Sequence, residues 1–263
     1  MAAKNKFMNA MKMPAIADMF SSEADRQRES GDLVTEVPLS ELHPFVNHPF
    51  EVRDDEDMQK LVDSIKENGV LTNLTVRPRA EGGYEIISGH RRFHAAQLAG
   101  LDKIKVQVRD VDDDQAIIDM VDANIQREHI SPMEKARALK MKNEAMKRSA
   151  GRRKENGCQL DTHFPEAKTA TQIGADVGES PKQIFRYIRL NELIPELQKK
   201  VDSNTLKFNP AVELSYLTPD EQQSFLDYAE AQDCTPSLSQ AQKLKAASKE
   251  GTLTLDKLEE IMS

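Results

Sequence analysis

The 263 residues are 38% hydrophobic and 30% charged, with 5% aromatics, no Trp and only two cysteines, Cys158 and Cys234. That composition suits a helix-rich modular protein better than a single large core, and two cysteines exclude a disulfide framework or a Cys-based structural zinc site. No run of 18 apolar residues and no apolar leader core occurs, so neither membrane insertion nor secretion is expected and a cytoplasmic setting fits.

The net charge of −8 hides an uneven distribution. Residues 1–126 hold 15 Lys/Arg against 23 Asp/Glu, residues 127–210 hold 17 against 11, and residues 211–263 hold 4 against 10. It is local charge that steers a partner, so the basic centre is the part suited to a polyanion. Residues 1–34 are Met-rich and then polar, without a sustained apolar face, and read as a flexible arm with a short helix near Ala15–Phe20.

From Asp54 to Asn68 the apolar residues Met58, Leu61, Val62 and Ile65 fall at i, i+3, i+4 and i+7, which predicts a helix closed by Asn68-Gly69. Leu74–Arg77 and Tyr84–Ile87 flank Gly82-Gly83 as a hairpin, and Lys103–Arg109 alternates Ile104, Val106 and Val108 as another strand. After Asp112 the chain reads as helices. Ser131-Pro132-Met133-Glu134 and Thr218-Pro219-Asp220-Glu221 are two capping boxes with proline at the first helical position. Between them, Gly151 to about Lys168 lacks periodicity and reads as a linker or exposed loop. There is no internal repeat.

Three segments suggest chemistry. In Ile86-Ile87-Ser88-Gly89-His90-Arg91-Arg92-Phe93-His94 a strand passes through a glycine into a helix. Free backbone N–H groups there, with two arginines, suit a phosphate. The alternative is that Arg91 and Arg92 are ordinary solvated helix residues. In Asp122-Ala123-Asn124-Ile125-Gln126-Arg127-Glu128, Asn124 offers a carbonyl oxygen to a magnesium ion or nucleotide and Arg127 a partner to phosphate, against a bland alternative of capping and surface pairing. Residues 169–190 have the spacing of two short helices across a tight turn, with Gly174 small, Gly178 in the turn and Ile173, Val177, Ile184 and Ile188 apolar. Read as a helix-turn-helix, this unit presents Thr171, Gln172, Ser180, Lys182, Gln183, Arg186 and Arg189 to a major groove or its phosphates; a plain helical hairpin is the alternative.

The ordered run of Ile65–Pro78, Gly89-His90-Arg91-Arg92, Ala123-Asn124-Ile125-Gln126-Arg127 and then the helix-turn-helix resembles the ParB family of chromosome and plasmid partition proteins, over about Val37–Leu206. The fold class it implies is an α+β N-terminal ParB-like nucleotide-binding domain followed by an all-α region containing a helix-turn-helix. Four regions are expected: the arm 1–34, the nucleotide-binding domain 35–128, a helical DNA-binding domain 129–208 and a helical C-terminal region 209–263. The resemblance implies CTP with Mg2+ in the first domain and a palindromic, centromere-like double-stranded DNA site on the second. It further implies a homodimeric clamp closed by CTP, a ParA-type ATPase engaged by the arm, and a location on the nucleoid or a plasmid.

Carried over by position, the resemblance implies that Thr72 lies near the base, Gly89, Arg91 and Arg92 at the triphosphate, Asn124 at the metal and Arg127 near the phosphates, with Ser88, His90 and Gln126 also among the nucleotide-binding residues. The sequence departs from the family at three places. Gly-Glu-Arg-Arg-x-Arg becomes Gly89-His90-Arg91-Arg92-Phe93-His94, the acid usual before Asn124 is Ala123, and Asn73 stands where proline is common. Asp122 is next to Ala123 but points about 100° elsewhere on a helix. Loss of an acid that acts chiefly in the transition state predicts nucleotide binding with slow or absent hydrolysis.

After Pro210, Leu238, Ala241 and Leu244, then Leu255, Leu258 and Ile261, stand at helical spacing without a sustained heptad, which predicts ordinary packing rather than a coiled coil. His90 and His94 at i, i+4 suggest a metal pair without an evident third ligand. Sulfiredoxin has Gly-Cys-His-Arg at the matching turn, where Ser88-Gly89-His90-Arg91 offers no thiol. A transcriptional regulator or nucleoid-occlusion protein on the same scaffold, and a ParB-like small-molecule kinase, are the remaining readings. The kinase would not need the basic centre.

Overall fold

The computed structural model describes residues 33–127, 130–154 and 165–263. The expected arm up to residue 32, with its helix near Ala15–Phe20, and residues 155–164 of the expected linker lie outside the described residues.

A five-stranded mixed sheet forms the first half, with strands β1 (Leu33–Pro38), β2 (Leu42–His43), β3 (Leu74–Pro78), β4 (Tyr84–Ser88) and β5 (Lys103–Val108) in the order β1-β5-β3-β4-β2. The expected hairpin is β3 and β4, antiparallel with Val76 opposite Ile86. β5 runs parallel to β3 and antiparallel to β1, so the central three strands bury Leu74, Val76, Ile86 and Val106. Each such side chain contributes about 1.5–3 kcal/mol on leaving water. β1 was not foreseen, and it begins at Leu33, inside the stretch expected to be arm.

Helix α1 (Glu56–Asn68) starts at Asp55, whose carboxylate accepts from the Met58 amide at 2.8 Å, and ends at Gly69. Its apolar stripe of Met58, Val62 and Ile65 packs on Ala95 of α2 (His90–Leu98), while Phe93 and Ala96 of α2 face the sheet. Helix α3 (Asp113–Asp122) then leads into α4 (Pro132–Lys154), whose start is the expected capping box: Glu134 N–H donates to Ser131 Oγ, and the Ser131 amide donates to Glu134 Oε2.

Two helices follow, α5 (Pro165–Val177) and α6 (Pro181–Arg189). The linker expected from Gly151 to Lys168 is therefore shorter at both ends. α4 continues through Gly151 to Lys154, because one glycine costs a helix only about 1 kcal/mol, and Pro165 opens α5, where a missing N–H costs nothing. A short 3-10 turn at Leu190–Glu192 leads to α7 (Pro195–Asp202), α8 (Phe208–Leu214), α9 (Pro219–Ala231), α10 (Leu238–Lys249) and α11 (Leu255–Met262).

Two apolar clusters hold the helical half. One joins Ala116, Met120, Val121 and Ile125 to Ala138 and Leu139 of α4 and to Ala170, Ile173 and Ile184. The other joins Met133 and Ala136 of α4 to Leu190, Leu197, Leu214, Phe225, Leu244 and Leu258. Both divisions expected in this half, near 128 and near 208, thus fall where packing is continuous. Gln222 shows how polar groups are accommodated: its buried amide accepts from the Ile194 N–H at 2.9 Å and donates to the carbonyls of Glu192 and Leu217 at 3.1 and 3.0 Å. Among the described residues no helix is long and apolar enough to cross a membrane.

Candidate functional site

Ser88 ends β4 opposite Thr75 of β3, and the chain turns into α2 through Gly89 at φ 106°. A Cβ at Gly89 would come within 2.8 Å of Leu74 Cγ, so both the left-handed backbone and the close approach require glycine. No side chain caps α2, which leaves its first amides and its positive dipole end to an external acceptor.

Arg92 does not reach outward. Its Nη1 donates to the carbonyls of Thr72 and Asn73 at 2.6 and 2.8 Å, tying the loop before β3 to α2. Burial lowers its guanidinium below the ordinary arginine value. Arg91 lies 3.6 Å from Asp55, a loose contact on a half-exposed surface. Arg127, at 5.9 Å from the Phe50 ring, pairs with no carboxylate among the described residues. Lost hydration and then the charge of Arg91 lower its guanidinium, Glu134 opposes this, and Arg92 adds to it. Arg91 and Arg127 share a cleft of about 420 Å³ with Phe50, Arg53, Asp55 and Glu134. Glu51 and Asp57 complete the lining, so three arginines face four carboxylates across it, and Arg91 and Arg127 are the groups there suited to an anion.

Asn124 is buried, and its Nδ2 donates to the Met120 carbonyl at 2.7 Å, leaving the second N–H and the side-chain oxygen as its remaining groups. Gln126 is exposed, and Thr72 is exposed on the loop that Arg92 ties. His90 is buried beneath the turn, with its Nε2 accepting from the Phe45 amide at 3.2 Å, and it does not line the cleft. His94 instead meets Asp54 at 2.7 Å. The suggested His90–His94 metal pair is therefore not assembled, and the described residues contain no group of three or more His, Cys, Asp or Glu placed to hold a metal. The reason is that α2 turns His90 into the core and His94 toward α1.

The segment 44–53 escaped the sequence reading, because it has neither periodicity nor a motif. Its backbone is pegged by three distant side chains: Phe45 N–H by His90, Val46 N–H by Glu85 at 3.3 Å, and Glu51 N–H by Glu134 at 2.8 Å. The only sequence signal was the aromatic and histidine content of Phe45, His48 and Phe50 in an irregular stretch.

In the second suggested site, the α5–α6 turn closes with the Glu179 amide donating to the Gly174 carbonyl at 2.8 Å. A Cβ on Gly174 would collide with the Glu179 carbonyl, so the two helices approach at a distance only glycine permits. Ser180 caps α6 by accepting from the Gln183 amide, and Pro181 opens it. Ile184 is buried, while Lys182, Phe185, Arg186 and Arg189 share the opposite face at i, i+3, i+4 and i+7. They line a shallow cleft of about 710 Å³ together with Tyr216. Thr171 and Gln172 are exposed on α5. Arg189 donates to the Ser215 carbonyl at 2.7 Å and lies 4.4 Å from the Tyr216 ring, so it serves α8 as well as the surface.

Residues 23–125 match the family model of the ParB N-terminal domain. The chain is 28% identical over 193 residues to the chromosome-partitioning protein Spo0J of Thermus thermophilus, covering 73% of this chain and 64% of that protein. It is 39% identical over 193 residues to a probable chromosome-partitioning protein ParB of Neisseria meningitidis, covering 73% of this chain and 60% of that protein. The chain thus spans about three fifths of the length of these relatives. A solved Pnob8-like ParB-N domain aligns with 88% of this chain and 98% of its own at 16% identity and TM-score 0.52, a likeness of fold.

Proposed function

The chain belongs to the ParB family of partition proteins, and from that premise we propose that it binds CTP in the cleft at the α2 N-terminus and centromere-like DNA through α5 and α6. The observation that carries the nucleotide reading is Arg127, a guanidinium without a carboxylate partner among the described residues, facing the same cleft as Arg91 at an uncapped helix start. A triphosphate would be held by Arg91 and Arg127 on one side of a cleft whose other side chains include four carboxylates, and charge-assisted bonds to arginine are the strong ones. Arg92 holds the loop bearing Thr72, so its role is to position the base-side loop rather than to touch phosphate.

Mg2+ fits this site only weakly. Asn124 offers one oxygen, Ala123 offers none, and Asp122 is engaged with Lys142 at 2.6 Å. The ion would be held mainly by phosphates and water, with Asn124 as the protein's contribution; when bound it would neutralise phosphate charge. Without an acid to orient water, binding outlasts hydrolysis. The DNA reading rests on the exposed face of α6 and on the basic balance of residues 127–210. A homodimer, a ParA-type ATPase partner and clamp closure by CTP belong to the same proposal through family resemblance, as does a place on the nucleoid or a plasmid.

The test is calorimetric titration of the purified protein with CTP, ATP and GTP in magnesium, repeated with Arg127→Ala. CTP is expected to bind selectively, with affinity falling at least about tenfold in the variant. Absence of any nucleotide binding would leave a DNA-binding regulator on this scaffold.

A further inference from the structure

Resting on the DNA-binding reading of α6, we infer that Asn209 at the start of α8 is a positioning residue that sets sequence discrimination by fixing the Arg186 guanidinium. Arg186 donates from Nη2 to Asn209 Oδ1 at 2.5 Å and from Nη1 to Gln183 Oε1 at 3.1 Å, and its guanidinium carbon lies 5.2 Å from the centre of the Phe208 ring. Two bonds in the guanidinium plane and an aromatic ring beside it fix both the position and the tilt of the fork. Phe208 is itself held by Tyr187 of α6, ring to ring at 4.8 Å.

The arrangement serves recognition better than stability. Asn209 is exposed, and a solvent-exposed polar contact on a long side chain contributes little to folding. What it does is remove, before binding, the rotamer freedom that an arginine otherwise loses on contact. Of the five N–H donors two are engaged, which leaves three on a planar fork that faces the cleft beside Lys182 and Phe185. A planar fork that keeps spare donors suits the O6 and N7 acceptors of guanine in a major groove. Lys182 on the same face is a point charge suited to phosphate, whereas Arg189 is held by the Ser215 carbonyl and the Tyr216 ring, with no contact to Asn209.

The test begins with the full chain and a library of randomised duplexes, from which a preferred duplex is selected. Affinity is then measured by fluorescence anisotropy for that duplex and for a scrambled one, using the wild type, Asn209→Ala, Arg186→Ala and the double variant. Asn209→Ala is expected to lower the ratio of the two affinities about five- to tenfold while leaving the scrambled duplex unchanged. In the Arg186→Ala background the same substitution is expected to change nothing further, and replacing the contacted guanine by 7-deazaguanine should erase the difference between wild type and Asn209→Ala. An unchanged ratio in Asn209→Ala, or effects that add in the double variant, would overturn the inference while the DNA reading stands. Failure of the wild type to enrich any duplex would remove the DNA reading itself, and this inference with it.

Discussion

His90 stands where the family usually has glutamate, and its environment makes that exchange visible in solution. Burial, then the neighbouring His48 ring at 3.8 Å, then Arg127 push its imidazole down from 6.5 to about 3. His48 is lowered too, chiefly by burial. The unfolded chain therefore takes up protons below about pH 6.5 that the folded chain refuses, so stability is complete above that pH and is lost as pH falls toward 3. By pH 5, His90 alone should cost about 2 kcal/mol. Urea unfolding of wild type and His90→Gln at pH 7.5 and pH 5 measures this; the loss on acidification should be smaller in the variant, and equal losses would contradict it. The sequence reading set His90 just after Gly89 at the start of a helix, which is where the helix begins. It could not show that the ring points inward, because that depends on the Phe45 amide 45 residues away.

Among the elements, α4 carries an unusual group at its centre. Lys142 is buried, 1% exposed, and its ammonium lies 2.6 Å from Asp122 of α3 and 2.7 Å from Asp176 of α5, whose side chains are 45% and 44% exposed. The partners are unequal in their need. Without Lys142 both carboxylates can return to water, whereas without the carboxylates the ammonium is left buried and uncompensated. Lys142→Met is therefore expected to cost about 1 kcal/mol or less, and Asp122→Asn with Asp176→Asn about 3–5 kcal/mol, as read from urea midpoints. Equal costs would show that the lysine finds solvent by another route. Elements with their own periodicity and caps were legible from sequence: α1, the β3–β4 hairpin, β5 and the starts of α4 and α9. β2 was not, since two residues carry no pattern and owe their pairing to Tyr84 and Glu85 in a distant strand. Nor was the Lys142 triad, which draws its members from three separated helices.

At the scale of the whole molecule, the C-terminal helices are part of the core of the central region. Leu244 and Ala241 of α10 and Leu258 and Met262 of α11 are buried in the cluster that contains Met133 and Leu190. Removing residues 237–263 strips the large side chains among them, each worth about 1.5–3 kcal/mol, from a protein whose total stability is of order 5–15 kcal/mol. The truncated chain is expected to lose cooperative melting of its helical half in calorimetry. A full-sized transition at the original Tm would instead mark this region as dispensable. The helical spacing of Ala241, Leu244 and Leu258 was readable in the sequence; the cluster they pack against was not.

Helix α4 also has a mechanical meaning. Its 23 residues make a rod of about 34 Å. Glu134 near one end holds the loop beside the arginine cleft, Met133 is bonded to Asp202 at 2.9 Å, and Asn143 farther along meets Thr169 of α5 at 2.9 Å. Glu134 and Asn143 stand about 14 Å apart on that one stiff element, so the loop at the arginine cleft and α5 share a single rigid support.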